Sequence, residues 1–173
     1  MQFHSGFSLK NEEYFFKEYI KYTDYTICGF SYGAIKAFEE VQKHLACGKR
    51  IDTLQLFSPA FFQNTSTKFH RLQILSYVKN SQKYVTQFLE GCFAPHAKQE
   101  TQASVSTKEE LVELLEYKWD IDQFLALEEK GVKIEVYLGA QDKIINASVA
   151  KDFFLNVATV TYIKEANHFL QLQ

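Results

Sequence analysis

The sequence predicts an α/β fold: a mostly parallel sheet of about five strands flanked by helices, with a helical cap inserted between two strands. Two observations carry this prediction. Short apolar runs alternate with longer amphipathic segments along the chain, which is typical of a parallel sheet with helices on both faces. The 173 residues are 46% hydrophobic and 23% charged, a balance that indicates one globular domain with a sizeable core. We therefore expect residues 1–173 to form a single domain.

The first third of the chain contains three of the expected strands and two helices. The strands are expected at residues 1–5, 25–28 and 51–57. One helix is expected to begin near Asn11, with Glu12 and Glu13 in its first turn. The other follows the second strand, because apolar residues recur there at helical spacing until Cys47 and Gly48 end the pattern.

Residues 61–107 differ in character from the rest of the chain. This stretch is polar, aromatic residues are spread through it, and helices are expected at residues 71–77 and 82–89. From Phe61 to Lys108 it has six basic and two acidic side chains, a net charge of +4 in a chain whose formal net charge is −2. An insertion between two strands of a sheet is where a functional loop or lid is commonly found. We interpret it as a cap.

The last third alternates between helices and strands. Thr107 and Glu110 have the spacing of a capping box, which predicts a helix through about Tyr117. A second helix is expected at residues 121–130, where Gly131 ends it. Strands are expected at residues 132–138 and 159–163, with a helix at residues 148–156 between them.

The most informative motif is Gly29-Phe30-Ser31-Tyr32-Gly33, which joins an expected strand to an expected helix. A serine between two glycines at such a junction is typical of the nucleophile elbow of α/β-hydrolases. The tight turn strains the backbone at the serine and leaves no room for side chains two positions before and after it. The motif predicts Ser31 as a nucleophile, and the alternative is an ordinary helix N-cap.

A serine nucleophile needs a base within hydrogen-bond reach and a carboxylate that orients the base. In α/β-hydrolases the order along the chain is Ser, then Asp or Glu, then His, and Ser31, Asp142 and His168 follow this order. Asp142 and His168 each come shortly after an expected strand, so both are expected on the rim of the sheet that also holds Ser31. The rival residues lie in or beside helices, in the insertion or near the N-terminus: Asp120, Asp122, Asp152, His4, His44, His70 and His96.

An oxyanion hole needs two backbone N–H donors. One is expected from Tyr32, which directly follows the nucleophile. The other is expected from Phe7, because Gly6 allows a tight bend after the first strand that could present the Phe7 N–H. The alternative for Gly6 and Phe7 is a plain turn.

Composition and cysteine usage argue against several other classes of protein. A net charge of −2 does not suggest nucleic acid as a partner. Three scattered cysteines, Cys28, Cys47 and Cys92, argue against both a disulfide framework and a structural zinc site. The sequence shows no secretory signal and no apolar run of membrane-spanning length. The expected compartment is the reducing cytoplasm.

Several segments of the chain resemble those of one known family, in the same order and at similar spacing. They are Gly6-Phe7, the elbow, residues 56–60, residues 129–136, Asp142 and Asn167-His168. With these segments the chain resembles, over nearly its whole length, the short BioV-type esterases that act on the methyl ester of pimeloyl-acyl carrier protein. The early loop departs from the general α/β-hydrolase pattern, since it reads His4-Ser5-Gly6 and not His-Gly.

The resemblance implies a reaction and its residues. Such an enzyme hydrolyses the methyl ester at the far end of the carrier-bound pimeloyl chain, which releases methanol and ends chain elongation in biotin synthesis. It implies Ser31 as the nucleophile, His168 as the general base and then acid, and Asp142 as the orienting carboxylate, with no metal or organic cofactor. The alternatives are a serine esterase or thioesterase for another acyl substrate, and a hydrolase-fold binding protein that does not catalyse.

The expected partner is an acyl carrier protein, a strongly acidic class of protein. A cap with a net charge of +4 would steer it electrostatically, and the best candidate contacts are Lys68, Arg71, Lys79 and Lys83. The alternative is a solvated helical surface. An acyl chain also needs an apolar tunnel, which aromatic residues of the insertion could line if they do not simply pack in the core: Phe61, Phe62, Phe69, Tyr77, Tyr84, Phe88 and Phe93.

Overall fold

A computed structural model describes residues 1–172 and contains one five-stranded parallel sheet, which confirms the predicted architecture. In spatial order the strands are β1 (Gln2–His4), β3 (Thr26–Phe30), β4 (Thr53–Phe57), β6 (Lys133–Gly139) and β7 (Thr159–Ile163). Two further short strands, β2 (Leu9–Lys10) and β5 (Gln102–Ala103), form a separate antiparallel pair. Because all neighbours in the large sheet are parallel, the carboxyl ends of its strands lie along one rim.

Residues 1–172 contain six α-helices, all where helices were expected, with ends that differ by a few residues. They are α1 (Tyr32–Ala46), α2 (Thr67–Lys79), α3 (Ser81–Phe93), α4 (Lys108–Glu116), α5 (Ile121–Glu128) and α6 (Ala147–Phe154). The capping box at α4 is present, since the Thr107 side chain accepts from the Glu110 N–H and the Glu110 carboxylate accepts from the Thr107 N–H.

The two faces of the sheet are covered differently. On one face, α1, α5 and α6 pack over the strands, with Ile35, Phe38, Phe124 and Phe154 in one continuous core. On the other face, the cover consists of the segment after β2, the carboxyl-terminal end of α3 and the end of the described chain, and its core is aromatic: Phe16, Phe30, Phe57, Phe93 and Phe169. Strand alternation separates these two cores.

The helix predicted near Asn11 is wrong. Asn11 has a positive φ of 58°, and only a single 3₁₀ turn, Glu13–Phe16, follows it. The Glu12 side chain points into the protein and accepts a hydrogen bond from the Gly6 N–H, so it is not in the exposed first turn of a helix. The antiparallel pair of β2 and β5 was not predicted either, because two-residue strands carry no periodicity.

Among the described residues, no helix is both long enough and apolar enough to cross a membrane.

Candidate active site

Ser31 lies at the sharp turn between β3 and α1. Its backbone has φ 53° and ψ −114°, a conformation that is strained for any residue except glycine. A Cβ atom on Gly29 would lie 2.2 Å from the carbonyl oxygen of Gly33, and one on Gly33 would lie 2.0 Å from the carbonyl oxygen of His4. Both glycines are therefore required by close backbone approach, as the elbow motif predicts.

His168 bridges Ser31 and Asp142. Its Nε2 lies 3.0 Å from Ser31 Oγ, and its Nδ1 lies 2.6 Å from Asp142 Oδ2. The tautomer that fits both contacts has the proton on Nδ1, donated to the carboxylate, and leaves Nε2 as the acceptor for the serine O–H. The other carboxylate oxygen, Oδ1, accepts from the backbone N–H groups of Ile144 (2.7 Å) and Ile145 (3.1 Å). Both oxygens are thus occupied, and the carboxylate is fixed in place.

The ends of neighbouring strands bring these residues together. Asp142 follows β6, and its N–H donates to the carbonyl of Gly139. A Cβ atom on Gly139 would lie 2.2 Å from the Asn167 carbonyl oxygen, so the loop that carries His168 passes directly over the end of β6. The Asn167 side chain donates to the Phe93 carbonyl at the end of α3, and the imidazole packs on the Phe30 ring. Ser31 and His168 are 3% and 0% exposed, which shields their hydrogen bond from bulk water.

The rival residues lie elsewhere in the molecule. His44 pairs with Glu40 on α1, His70 contacts Thr65, and His96 contacts the Glu165 carbonyl. The remaining rivals also have other places: His4 contacts Gln2, Asp120 caps α5, Asp122 is in the first turn of α5, and Asp152 lies beside Lys151. The structure therefore brings together Ser31, Asp142 and His168 and none of their rivals.

Of the two expected oxyanion donors, Tyr32 belongs to the elbow and Phe7 to the loop after β1. β1 pairs with β3 so that His4 is opposite Gly29, and the loop after β1 consequently lies beside the turn at Ser31. Within residues 1–172, neither the Phe7 N–H nor the Tyr32 N–H donates a hydrogen bond to another protein group. The Tyr32 side chain points away to α4, where its hydroxyl donates to Glu113, and burial raises the pKa of this hydroxyl above its ordinary value.

A cavity of about 370 Å³ lies between α2, α3, α4 and the loop after Asp142. Four of the seven aromatic residues named from the sequence line it, namely Phe62, Phe69, Tyr84 and Phe88, together with leucines of α4. Ile144 also lines the cavity, while its N–H holds the Asp142 carboxylate. The other three aromatic residues pack in the core instead: Phe61, Tyr77 and Phe93.

The four basic residues named from the sequence lie on α2 and α3. Lys79 and Lys83 line a groove between the two helices, and Lys68 and Arg71 line a shallow groove on the outer side of α2. None of the four forms a salt bridge with another residue in the range 1–172. Next to them, α2 exposes an apolar row: Leu72, Leu75 and Val78.

The sequence places Glu12 in the first turn of a helix and not among the site residues, whereas the structure buries it fully, with its carboxylate on the Gly6 N–H. In the sequence it is one of two adjacent glutamates before an apolar run, and nothing there separates it from its neighbour Glu13.

In the described part of the chain, no cluster of three or more His, Cys, Asp and Glu side chains has the arrangement of a metal site.

Comparisons with known proteins rest on structure, because no protein-family model matches the sequence and no curated protein matches it significantly. BioG from Haemophilus influenzae matches with a TM-score of 0.62 and 11% identity, over 98% of this chain and 88% of that one. The esterase EaEST from Exiguobacterium antarcticum matches with a TM-score of 0.60 and 16% identity, over 83% of this chain and 59% of that one. A bromoperoxidase from Bacillus anthracis matches with a TM-score of 0.61 and 14% identity, over 83% of this chain and 60% of that one.

This chain thus spans about three fifths of the length of the Exiguobacterium and Bacillus proteins. At such low identity these likenesses bear on architecture only. Together with the parallel sheet and the elbow at its rim, they establish that the chain has the α/β-hydrolase fold.

Proposed function

We propose that the protein is a serine carboxylesterase in which Ser31, His168 and Asp142 form the catalytic triad. The observation that carries the proposal is the position of His168, within hydrogen-bond distance of both Ser31 Oγ and Asp142 Oδ2. This is the arrangement that turns a weakly nucleophilic hydroxyl into an effective nucleophile.

The reaction proceeds in two halves. Ser31 Oγ attacks the ester carbonyl carbon while His168 Nε2 takes the hydroxyl proton, and Asp142 stabilises the imidazolium that forms. The tetrahedral oxyanion is held by the N–H groups of Tyr32 and Phe7. His168 returns its proton to the leaving alkoxide, an alcohol departs, and an acyl-serine remains. Water then attacks the acyl carbon with His168 as base, which releases the carboxylic acid and restores the serine.

The substrate we propose is the methyl ester of pimeloyl-acyl carrier protein, so that the alcohol released is methanol. The resemblance to the BioV-type esterases supports this choice. The apolar cavity beside Ile144 is suited to an acyl chain. Residues 61–107 would act as the cap, and the basic groups on α2 and α3 suit an acidic carrier protein as partner.

The test is hydrolysis of the pimeloyl-acyl carrier protein methyl ester, followed by mass spectrometry as the decrease of one CH₂ unit between the ester and the acid. Wild-type protein is compared with Ser31→Ala, and with Ser81→Ala on the surface of α3 as a matched control. Turnover by the wild type and the control but not by Ser31→Ala supports the nucleophile and the substrate together.

Two other outcomes separate the alternatives. Absence of turnover combined with labelling of Ser31 by a fluorophosphonate would retain the hydrolase and redirect the search to other acyl esters and thioesters. Absence of both would overturn the catalytic proposal and favour a binding protein with this fold.

A further inference from the structure

The loop that carries Phe7 contains a buried acid that the triad does not use. Glu12 is 0% exposed, and its Oε1 accepts from the Gly6 N–H at 2.6 Å. Its Oε2 is buried and has no hydrogen bond of ordinary geometry among the described residues; the Ser5 hydroxyl is the one further side chain close enough to favour the charged carboxylate. Burying a carboxyl group with one oxygen unpaired costs stability, so packing alone does not account for a glutamate at this position.

The hydrogen bonds of Gly6 fix the direction in which the Phe7 N–H points. The Gly6 N–H is held by Glu12, and the Gly6 carbonyl accepts from the Leu9 N–H at 3.1 Å. The carbonyl of Gly6 and the N–H of Phe7 belong to one planar trans peptide, in which they point in opposite directions. With both sides of the Gly6 Cα anchored, this peptide plane cannot rotate freely, and the Phe7 N–H keeps its direction.

We propose that Glu12 is a positioning residue for the oxyanion hole: it holds Gly6 so that the Phe7 N–H points at the oxyanion formed on the substrate of Ser31. The inference rests on the proposed esterase function. Glu12 does not touch the reacting atoms, and it acts only through the backbone of the loop.

The state of the carboxyl group fits this role. Burial raises the pKa of Glu12 above its ordinary value, against the opposing effects of the Gly6 N–H, the Glu12 N–H and the Ser5 hydroxyl, and so favours the neutral form more than in an exposed glutamate. Glutamine reproduces the shape and the acceptor oxygen of that neutral form, which makes Glu12→Gln the conservative variant.

The experiment compares Glu12→Ala with Glu12→Gln, using p-nitrophenyl butyrate as the substrate and a trifluoromethyl ketone as an inhibitor that forms a bound oxyanion. Since an oxyanion donor acts mainly in the transition state, we expect kcat of Glu12→Ala to fall about 10- to 100-fold with KM within about twofold. The inhibition constant of the ketone should rise by the same factor as kcat/KM falls. Glu12→Gln should stay within about threefold of wild type, because its carbonyl still accepts from Gly6.

Two controls separate positioning from stability. Glu18→Ala removes an exposed acid from the same segment and should leave all constants unchanged. Val41→Ala trims a buried residue of α1 and should lower the thermal midpoint without changing kcat at a temperature where it is folded. Should Glu12→Ala not fold, Glu12→Asp withdraws the acceptor by one methylene group and should show the same fall in kcat without a rise in KM.

The inference is overturned if Glu12→Ala, or Glu12→Asp in its place, retains the wild-type kcat and inhibition constant, or if Glu12→Gln loses as much activity as Glu12→Ala. Failure of the proposed function would look different. In that case the wild-type protein itself would neither hydrolyse the ester nor bind the ketone.

Discussion

The two sides of Ser31 are built in different ways. On one side, Asp142 and His168 follow adjacent strands, β6 and β7, and their loops are held by contacts along the same rim. On the other side, the loop from Ser5 to Glu12 belongs to the end of β1, and its contacts reach far along the chain. The position of Asp142 and His168, the proposed base side, follows directly from the order of the strands. The position of the segment from Ser5 to Glu12, the proposed oxyanion side, depends on tertiary contacts.

The distant contacts on the oxyanion side come from the segment that leaves the insertion. Ser8 Oγ donates to Ser106 Oγ at 2.6 Å, and the Ser104 N–H donates to the Ser8 carbonyl at 3.0 Å. Ser106 is itself tied to α2, because the Tyr77 hydroxyl donates to its carbonyl at 2.7 Å. The segment from Ser5 to Glu12 is consequently connected to the helices that line the cavity.

Breaking the base side should have the largest effect. Asp142→Asn keeps the shape of the side chain but presents an amide that cannot orient the imidazole or stabilise its charge as a carboxylate does. We expect kcat to fall about 10⁴-fold, measured with p-nitrophenyl butyrate, while Asp152→Asn on α6 remains at the wild-type rate. A loss of less than tenfold in Asp142→Asn would show that the carboxylate does not work with His168.

The outer surface of the insertion should affect binding and not chemistry. Changing both Arg71 and Lys79 to Glu should raise KM for a carrier-bound ester roughly tenfold at low salt, because attraction to an acidic partner is lost. The kcat and KM for a small free ester should not change. The difference in KM between variant and wild type on the carrier-bound ester should shrink as salt is added. The matched control changes Lys118 and Lys130, which are exposed on other segments, to Glu. An equal loss on both substrates would contradict a docking role.

Cutting the link between the insertion and the oxyanion loop should have the smallest effect. Ser106→Ala removes the acceptor of the Ser8 hydroxyl and leaves the carbonyl that binds Tyr77. Loss of one such hydrogen bond is worth about 1 kcal/mol, so we expect kcat to fall about two- to fivefold with KM unchanged. Ser104→Ala, whose backbone N–H still reaches Ser8, is the control. Identical kcat in both variants would show that the link does not position the loop.

The sequence predicts the sheet, and the grouping of Asp142 and His168 near Ser31 at its rim, because the signals for both are local. Short apolar runs mark β3 and β4, and alternation marks β6. The elbow motif requires glycine two positions before and two positions after the serine. Asp142 and His168 could be selected among rivals by their positions after strands. The strand order β1-β3-β4-β6-β7 then brings them to Ser31.

The oxyanion side could not be predicted in the same way. The helix expected near Asn11 is absent because Glu12 turns inward to Gly6, a contact that no local pattern encodes. The pairing of β2 with β5 joins residues about ninety positions apart and consists of two residues on each strand. Such contacts form only once residues 61–107 have folded and brought residues 102–106 beside the loop after β1, so no local sequence pattern predicts them.

Covalent labelling with a fluorophosphonate, located by mass spectrometry of the peptides, tests the central claim most directly. The claim is that His168 and Asp142 make Ser31 a nucleophile. The account predicts one adduct per chain, on the peptide that contains Ser31, lost in Ser31→Ala and strongly slowed in Asp142→Asn. Labelling at another serine, or none in a correctly folded protein, would contradict it.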